Sequence, residues 1–146
     1  MTRASNQRGV TLIELMAVVA IVAILSAIAI PNYSDYVRRG RVQEATAGLS
    51  ELRVKLEQWQ QDNRTYAGYL QADCTRSDHA RLVESRYFTY DCSGVAANGY
   101  LLKATGKEQQ GMKDYVYTIN ERNERTSSVP GTADARCWIV KKGETC

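Results

Sequence analysis

The sequence has few of the residues that catalytic and metal sites need. It contains one histidine, His79, among 146 residues, and no nearby serine, cysteine or pair of carboxylates forms a catalytic pattern with it. A glycine-rich phosphate loop and a cluster of metal ligands are also missing. No basic tract is interleaved with aromatic residues, which argues against a dedicated nucleic-acid surface. We therefore predict no enzyme, no cofactor and no metal. Nucleic acid stays a possible partner that nothing in the sequence supports.

The four cysteines include no C-x-x-C pair, which argues against zinc. In an exported chain such cysteines form two disulfides, and three connectivities are open. We favour Cys74–Cys92 and Cys137–Cys146, because each bond closes a short local loop. The chain-entropy model gives each bond about 3 kcal/mol. We expect both bonds to act as covalent staples of a small core.

The most informative segment is an uncharged apolar run, Leu15 to Ile30, that directly follows the carboxylate of Glu14. A carboxylate at full depth in a membrane costs about 2.5–3.5 kcal/mol, which makes Glu14 a candidate functional residue. It lies five residues after Gly9, which ends a short basic leader. A cut between Gly9 and Val10 creates an α-amine that can neutralise the Glu14 of a neighbouring chain. We therefore predict that Glu14 is an assembly residue.

Residues 9–16, Gly-Val-Thr-Leu-Ile-Glu-Leu-Met, resemble the class III signal of type IV pilins and related pseudopilins. The similarity extends through residues 27–33 and also includes Cys137-Trp138 and the terminal Cys146. Val10 departs from the pattern, since the family more often has phenylalanine there. The resemblance thus involves both ends of the chain.

The resemblance implies a processed and divided chain. A prepilin peptidase would cut after Gly9, and the new amine of Val10 would be methylated. The implied parts are a leader at 1–9, a hydrophobic membrane and filament-core helix at 10–36, and a globular pilin domain at 37–146.

The first predicted element is one long helix from Val10 to Gln61, about 78 Å at 1.5 Å per residue. Pro31 removes a helical hydrogen bond, so we expect a kink or a local opening there, which would help the helix to assemble. Beyond Pro31, apolar residues recur in steps of three and four, as on one face of an amphipathic helix: Val42, Ala45, Leu49, Leu52, Leu56 and Trp59. The half before them must pack against lipid or other subunits.

After an irregular connection at 64–86, β-branched and aromatic residues predict four strands: Tyr87–Asp91, Gly99–Thr105, Tyr115–Asn120 and Cys137–Lys141. Glycine and proline residues mark the turns between them, so we expect an antiparallel meander whose one face covers the helix. The predicted fold class is α+β. It is the type IV pilin fold, in which a long N-terminal α-helix packs on a four-stranded antiparallel β-sheet.

We predict a structural subunit of a type IV pilus, a minor pilin, because residues 31–33, residues 62–66 and the C-terminal cysteines look most like the PilE-type minor pilins. Its predicted partners are other pilins, both major and minor, the prepilin peptidase, the inner-membrane assembly platform, and membrane lipid before assembly. It would be a single-pass protein of the bacterial inner membrane and then part of the extracellular pilus. The filament would support adhesion, twitching motility or DNA uptake.

Three other interpretations stay open. An ordinary secretory signal also has a basic start, an apolar run and a small-residue cleavage site, here Ala27-Ile28-Ala29. A membrane-anchored or exported binding domain that never polymerises is the second, although an anchor gains nothing from a charge at the depth of Glu14. A type II secretion pseudopilin is the third, but Asp134 and Glu144 are too sparse for the calcium loop that such proteins commonly carry.

Overall fold

The computed structural model describes residues 10–76, 82–141 and 143–146. The predicted leader with Gly9, and the single histidine, His79, lie outside the described residues. The chain divides into two compact units, of which the first ends at Val37 and the second is Arg38–Cys146.

The helix α1 spans Leu12–Asn63, two residues later at each end than predicted. Its start is set by Thr11, whose Oγ1 accepts a hydrogen bond from the backbone N–H of Glu14 at 3.3 Å. In return, Glu14 Oε2 accepts a bond from the backbone N–H of Thr11 at 3.2 Å. This reciprocal pair is a capping box, in which side chains satisfy backbone donors that the helix leaves free.

Pro31 lies inside α1, and the helix continues through it. Two side chains bond to neighbouring backbone carbonyls: Asn32 Nδ2 donates to Ile28 O at 3.0 Å, and Ser34 Oγ donates to Pro31 O at 2.8 Å. Such bonds give backbone oxygens near the proline additional partners where the ladder is interrupted.

Five antiparallel strands form one sheet, and its strand order is the same as the chain order. The strands are β1 Phe88–Asp91, β2 Leu101–Gly106, β3 Val116–Asn120, β4 Arg125–Val129 and β5 Thr132–Ala135. The first three lie where the sequence predicts them, within one or two residues. The fold is therefore α+β with an antiparallel meander, as predicted.

The predicted number of strands, four, is wrong, and Cys137–Lys141 is not a strand. The polar stretch 125–135 instead forms the hairpin of β4 and β5 around Pro130-Gly131, and β5 takes the edge of β4. The segment after β5 then bonds to a side chain: Ser127 Oγ donates to Cys137 O at 2.6 Å and accepts from Ile139 N at 3.0 Å. Because this buried serine supplies the partners, residues 137–139 need no backbone ladder.

The core of the second unit lies between the sheet and the predicted stripe of α1. Five of the six stripe residues are fully buried, which confirms the periodicity: Val42, Ala45, Leu49, Leu52 and Leu56. Trp59 differs, because it is only half-buried and stacks on Tyr69 with ring centroids 5.2 Å apart. On the sheet, the alternate residues of β2 and β3 face the core, as a period of two requires: Leu102, Ala104, Tyr117 and Ile119.

At Gly48 a side chain of the sheet comes close to the helix backbone. A Cβ atom at this position would lie 2.2 Å from the hydroxyl oxygen of Tyr90, which donates a hydrogen bond to Glu44 O at 3.0 Å. Burial and the charges of Glu44 and Glu51 raise the pKa of Tyr90 to about 12. The absence of a side chain at Gly48 therefore lets a buried phenol reach the helix backbone.

Candidate functional site

The first unit exposes a continuous apolar surface. Its large side chains are mostly more than half exposed, among them Val10 at 78% and Leu25 at 61%. By length and composition, α1 includes an apolar stretch that could cross a membrane, and no part of that stretch is buried. Apolar surface of this extent is characteristic of contact with lipid or with other proteins.

Glu14 lies at the head of this surface, four residues after Val10. Its Oε2 accepts hydrogen bonds from the N–H and the Oγ1 of Thr11, at 3.2 and 3.1 Å. Among the described residues, no bond occupies Glu14 Oε1. The carboxylate thus keeps a free oxygen for a donor from another molecule.

The second unit holds the four cysteines in two disulfides, Cys74–Cys92 and Cys137–Cys146, with Cα atoms 5.1 and 5.7 Å apart. This is the pairing favoured from loop length. The first bond is buried and ties the connection between α1 and β1 to the end of β1. No group of three or more metal-ligating side chains occurs among the residues that the structure describes.

Glu57 on α1 receives two tyrosine hydroxyls that sequence analysis did not identify as a group. Tyr100 donates to Oε1 at 2.8 Å and Tyr66 donates to Oε2 at 3.2 Å. Burial, together with this carboxylate, raises the pKa of both phenols. Tyr66 lies nine positions after Glu57, beyond the end of the helix, and Tyr100 lies 43 positions after Glu57. No local sequence pattern could therefore reveal the group. They fix the start of the connection and the start of β2 to the helix.

The C-terminal loop, closed by Cys137–Cys146, is held against the sheet by polar contacts. Tyr117 donates its hydroxyl to Ile139 O at 2.9 Å. Glu144 Oε2 accepts from the backbone N–H groups of Val140 and Lys141, at 2.8 and 2.9 Å, and these bonds lower the pKa of Glu144. The loop therefore presents a defined surface beside β3 and β4.

Residues 122–126 and 136–138 meet beside this loop, and we call them the β3–β4 corner. Asn123, Arg125, Thr126 and Arg136 help to line a surface cavity of about 480 Å³. The guanidinium carbon of Arg125 lies 4.6 Å from the ring centroid of Trp138. Arg125 and Arg136 are eleven positions apart in the sequence, and the β4–β5 hairpin brings them to one cavity.

Two family models match the chain. The first, described as prokaryotic N-terminal methylation motif, matches residues 4–30. The second, described as type IV minor pilin ComP, DNA uptake sequence receptor, matches residues 31–126, well over half of the chain. The chain belongs to this family of type IV minor pilins. Membership agrees with the family predicted from residues 9–16 and from the C-terminal cysteines.

Curated relatives of this pilin are fimbrial proteins. One from Moraxella nonliquefaciens is 38% identical over 81 residues, which are 56% of this chain and 51% of that protein. One from Pseudomonas aeruginosa is 55% identical over 51 residues, or 35% of this chain and 33% of that protein. The type IV major fimbrial protein FimA of Dichelobacter nodosus is 42% identical over 80 residues, or 55% and 44%. The chain thus spans about a third to a half of the length of these relatives.

The pilin also resembles a solved structure, the non-core minor pilin PilV of Neisseria meningitidis. The TM-score is 0.55, with 19% identity, and the match covers 68% of this chain and 94% of that one. At this identity the likeness concerns the fold alone. It supports the type IV pilin fold, with five strands among the described residues instead of the predicted four.

Proposed function

We propose that this chain is a minor subunit of a type IV pilus. A prepilin peptidase would cut between Gly9 and Val10, and the amine of Val10 would be methylated. The apolar part of α1 would hold the mature subunit in the inner membrane until the assembly platform adds it to the filament. The observation that carries this proposal is the exposed apolar surface of α1, together with the methylation motif on residues 4–30.

Glu14 would fix the position of each incoming subunit by pairing with the α-amine of Val10 in a neighbour. Both charges are costly in apolar surroundings unless each neutralises the other, and breaking such a buried pair costs about 3–5 kcal/mol. The free Oε1 of Glu14 supports this role, because the capping box uses Oε2 alone among the described contacts. Pro31 would let the helix adjust as it leaves the bilayer.

The test is the recovery of Glu14→Ala in sheared filaments, measured by quantitative mass spectrometry. We expect its abundance to fall by roughly tenfold or more, since about 1.4 kcal/mol already corresponds to tenfold. The intact mass of the variant should still match a chain that begins at Val10. Glu14→Asp, which keeps the charge, should recover part of the assembly. Recovery of Glu14→Ala at the wild-type level would refute the proposed pairing.

A second candidate function is the binding of double-stranded DNA during uptake. The specific observation is the family model matching residues 31–126, whose description is that of a DNA uptake sequence receptor. Exposed cations at the β3–β4 corner support it, namely Arg122, Arg125 and Arg136. Cations that neutralise phosphates supply most of the non-specific affinity for DNA. This proposal revises the expectation from composition that nucleic acid has no support as a partner.

The test uses the mature chain in nonionic detergent micelles and a labelled duplex of mixed sequence. We expect binding at 50 mM salt that weakens along a straight line of log affinity against log salt, because counterions are released. Fragments of the producing bacterium's own chromosome should compete better than unrelated DNA if uptake is selective. Absence of binding to any duplex at 50 mM salt would refute DNA binding.

A further inference from the structure

We propose that Arg125 and Arg136 form a phosphodiester-binding site at the β3–β4 corner, with Trp138 and Asn123 as positioning residues for Arg125. The proposal rests on the DNA binding proposed above and names its contact. The site would contact the backbone of the nucleic acid and not its bases.

Neighbouring residues of the chain orient the guanidinium of Arg125. One face lies over Trp138, with 4.6 Å from the guanidinium carbon to the ring centroid. At its edge, Nε and Nη2 donate to Asn123 Oδ1 at 3.4 and 3.3 Å. A stacked guanidinium with a fixed plane presents its remaining donors as a rigid fork, which suits the two free oxygens of a phosphodiester.

The aromatic platform under Arg125 is itself fixed. Trp138 Nε1 donates to Thr118 O at 2.8 Å, so the indole is anchored to β3. The residue before it, Cys137, is bonded to Cys146 and accepts from Ser127 Oγ at 2.6 Å. A ligand therefore meets a preorganised cation, which lowers the ordering cost of binding.

The charges around the cavity favour an anion. Within the described chain, neither Arg125 nor Arg136 forms an ion pair. Glu124 is the one carboxylate among the lining residues, and it already accepts from Asn120 Nδ2 and lies 3.6 Å from Arg122 Nε. Two uncompensated guanidinium groups thus share one cavity with an acid that has other partners.

The volume of the cavity and the stacking of Arg125 on Trp138 indicate which anion the site would bind. A cavity of about 480 Å³ falls in the usual range for small organic ligands, about 300–1,000 Å³, and is larger than an inorganic ion needs. Arg125 covers the face of Trp138, so a base cannot stack on that face. A phosphodiester between two sugars fits both facts, and such a contact positions DNA without reading its sequence.

The experiment measures the affinity of the full mature chain, in nonionic detergent, for two 24-base-pair duplexes of unrelated sequence between 50 and 200 mM salt. We expect Arg125→Gln to weaken binding by about tenfold for both duplexes and to reduce the salt slope by about 1. Lys113→Gln removes an equal charge before the start of β3, whereas the corner follows the end of that strand, and Lys113 is paired with Glu108. It should change affinity by less than about twofold, as a rim charge with a partner does.

Trp138→Leu and Trp138→Phe test whether Arg125 needs an aromatic ring beneath it or only an apolar side chain of similar size. Trp138→Leu should weaken binding of both duplexes by several-fold while the salt slope stays, whereas Trp138→Phe keeps an aromatic face and should restore most of the affinity. A loss with Arg125→Gln on only one duplex would show base reading and overturn the proposal. An equal loss with Lys113→Gln would show a net-charge effect and also overturn it.

A second measurement keeps the site testable if no duplex binds. The arginine Nε–Hε signal that disappears in Arg125→Gln is followed while the dinucleotide dTpdT is added to the wild-type chain. A saturable shift of that signal supports the phosphodiester site even if DNA binding fails, whereas no shift overturns the site. Failure of the duplex assay with a positive dTpdT titration would therefore refute only the proposed DNA binding.

Discussion

The two halves of α1 are both rich in apolar residues, yet their surroundings differ completely. Residues 15–30 carry no charge, present apolar side chains on every side of the helix and are mostly exposed, with Leu25 at 61%. Between Val42 and Leu56, apolar residues form one stripe that the sheet covers, and Leu52 is 0% exposed. An all-round apolar helix needs a partner from outside the chain, whereas an amphipathic helix is covered within its own domain.

The comparison separates assembly from stability within one helix. Residues of the exposed half should determine whether the subunit enters a membrane or a filament. Residues of the covered half should determine whether Arg38–Cys146 stays folded. The following predictions test that separation.

The largest effect should come from Leu52→Ala compared with Leu25→Ala. Truncation of a buried leucine costs about 2–5 kcal/mol, so Leu52→Ala should markedly lower the midpoint of urea unfolding in detergent. Leu25→Ala removes the same atoms from an exposed position, and the midpoint should stay within experimental error. Equal losses of stability in both variants would break the comparison.

Next in size is removal of the terminal disulfide by Cys146→Ser. The entropy model gives about 3 kcal/mol for this bond, and the segment 137–139 would lose its covalent tether beside Ser127. The thermal midpoint should fall by about ten degrees, and incorporation into filaments should fall with it. Leader removal, read by intact mass, should not change. An unchanged midpoint would show that the polar contacts of the loop suffice.

A smaller effect should follow from alkaline titration of the buried tyrosines. Burial raises the pKa of Tyr90 to about 12, above its unfolded value near 10. The folded state therefore holds the proton more tightly, and this contribution is complete below pH 10 and is lost as pH rises through 12. Ionisation of Tyr90 alone should lower the free energy of unfolding by about 1.4 kcal/mol at pH 11.

The control for this titration is Tyr90→Phe, measured by rapid unfolding at each pH so that the disulfides stay intact. The variant is less stable at neutral pH, because its bond to Glu44 O is gone. Its stability should nevertheless decline less steeply between pH 10 and 12. An identical slope in both proteins would assign the decline to other phenols, such as Tyr100 and Tyr117, whose pKa values burial also raises.

The smallest effect should come from Glu144→Gln in the C-terminal loop. Its carboxylate accepts two backbone N–H groups, which lower the pKa of Glu144, so its contribution is present above pH 4.5 and lost as pH falls below that. Because the group is exposed, the thermal midpoint at pH 7 should drop only slightly. At pH 3 the variant and the wild type should unfold at the same temperature, and a difference that persists there would exclude the charge as its cause.

The sequence predicted the features that depend on residues close together in the chain. The stripe around Leu52 follows from the helical period, the end of α1 from Asp62-Asn63-Arg64, and the β4–β5 turn position from Pro130-Gly131. The strands of that turn were missed, because β4 and β5 are polar and mostly exposed and have no apolar alternation. Glu57 with its two tyrosines and the Arg125–Trp138 pair were missed as well. They depend on tertiary contacts between residues that no sequence period relates.

The capping box of Thr11 and Glu14 has a consequence for the energetics of addition to a filament. Because α1 starts at Leu12, an amine created at Val10 would stand just outside the positive end of the helix dipole. Each waiting subunit would carry a cation that its own helix repels. The carboxylate of the next subunit would relieve that repulsion, and this gain in electrostatic energy would favour polymerisation.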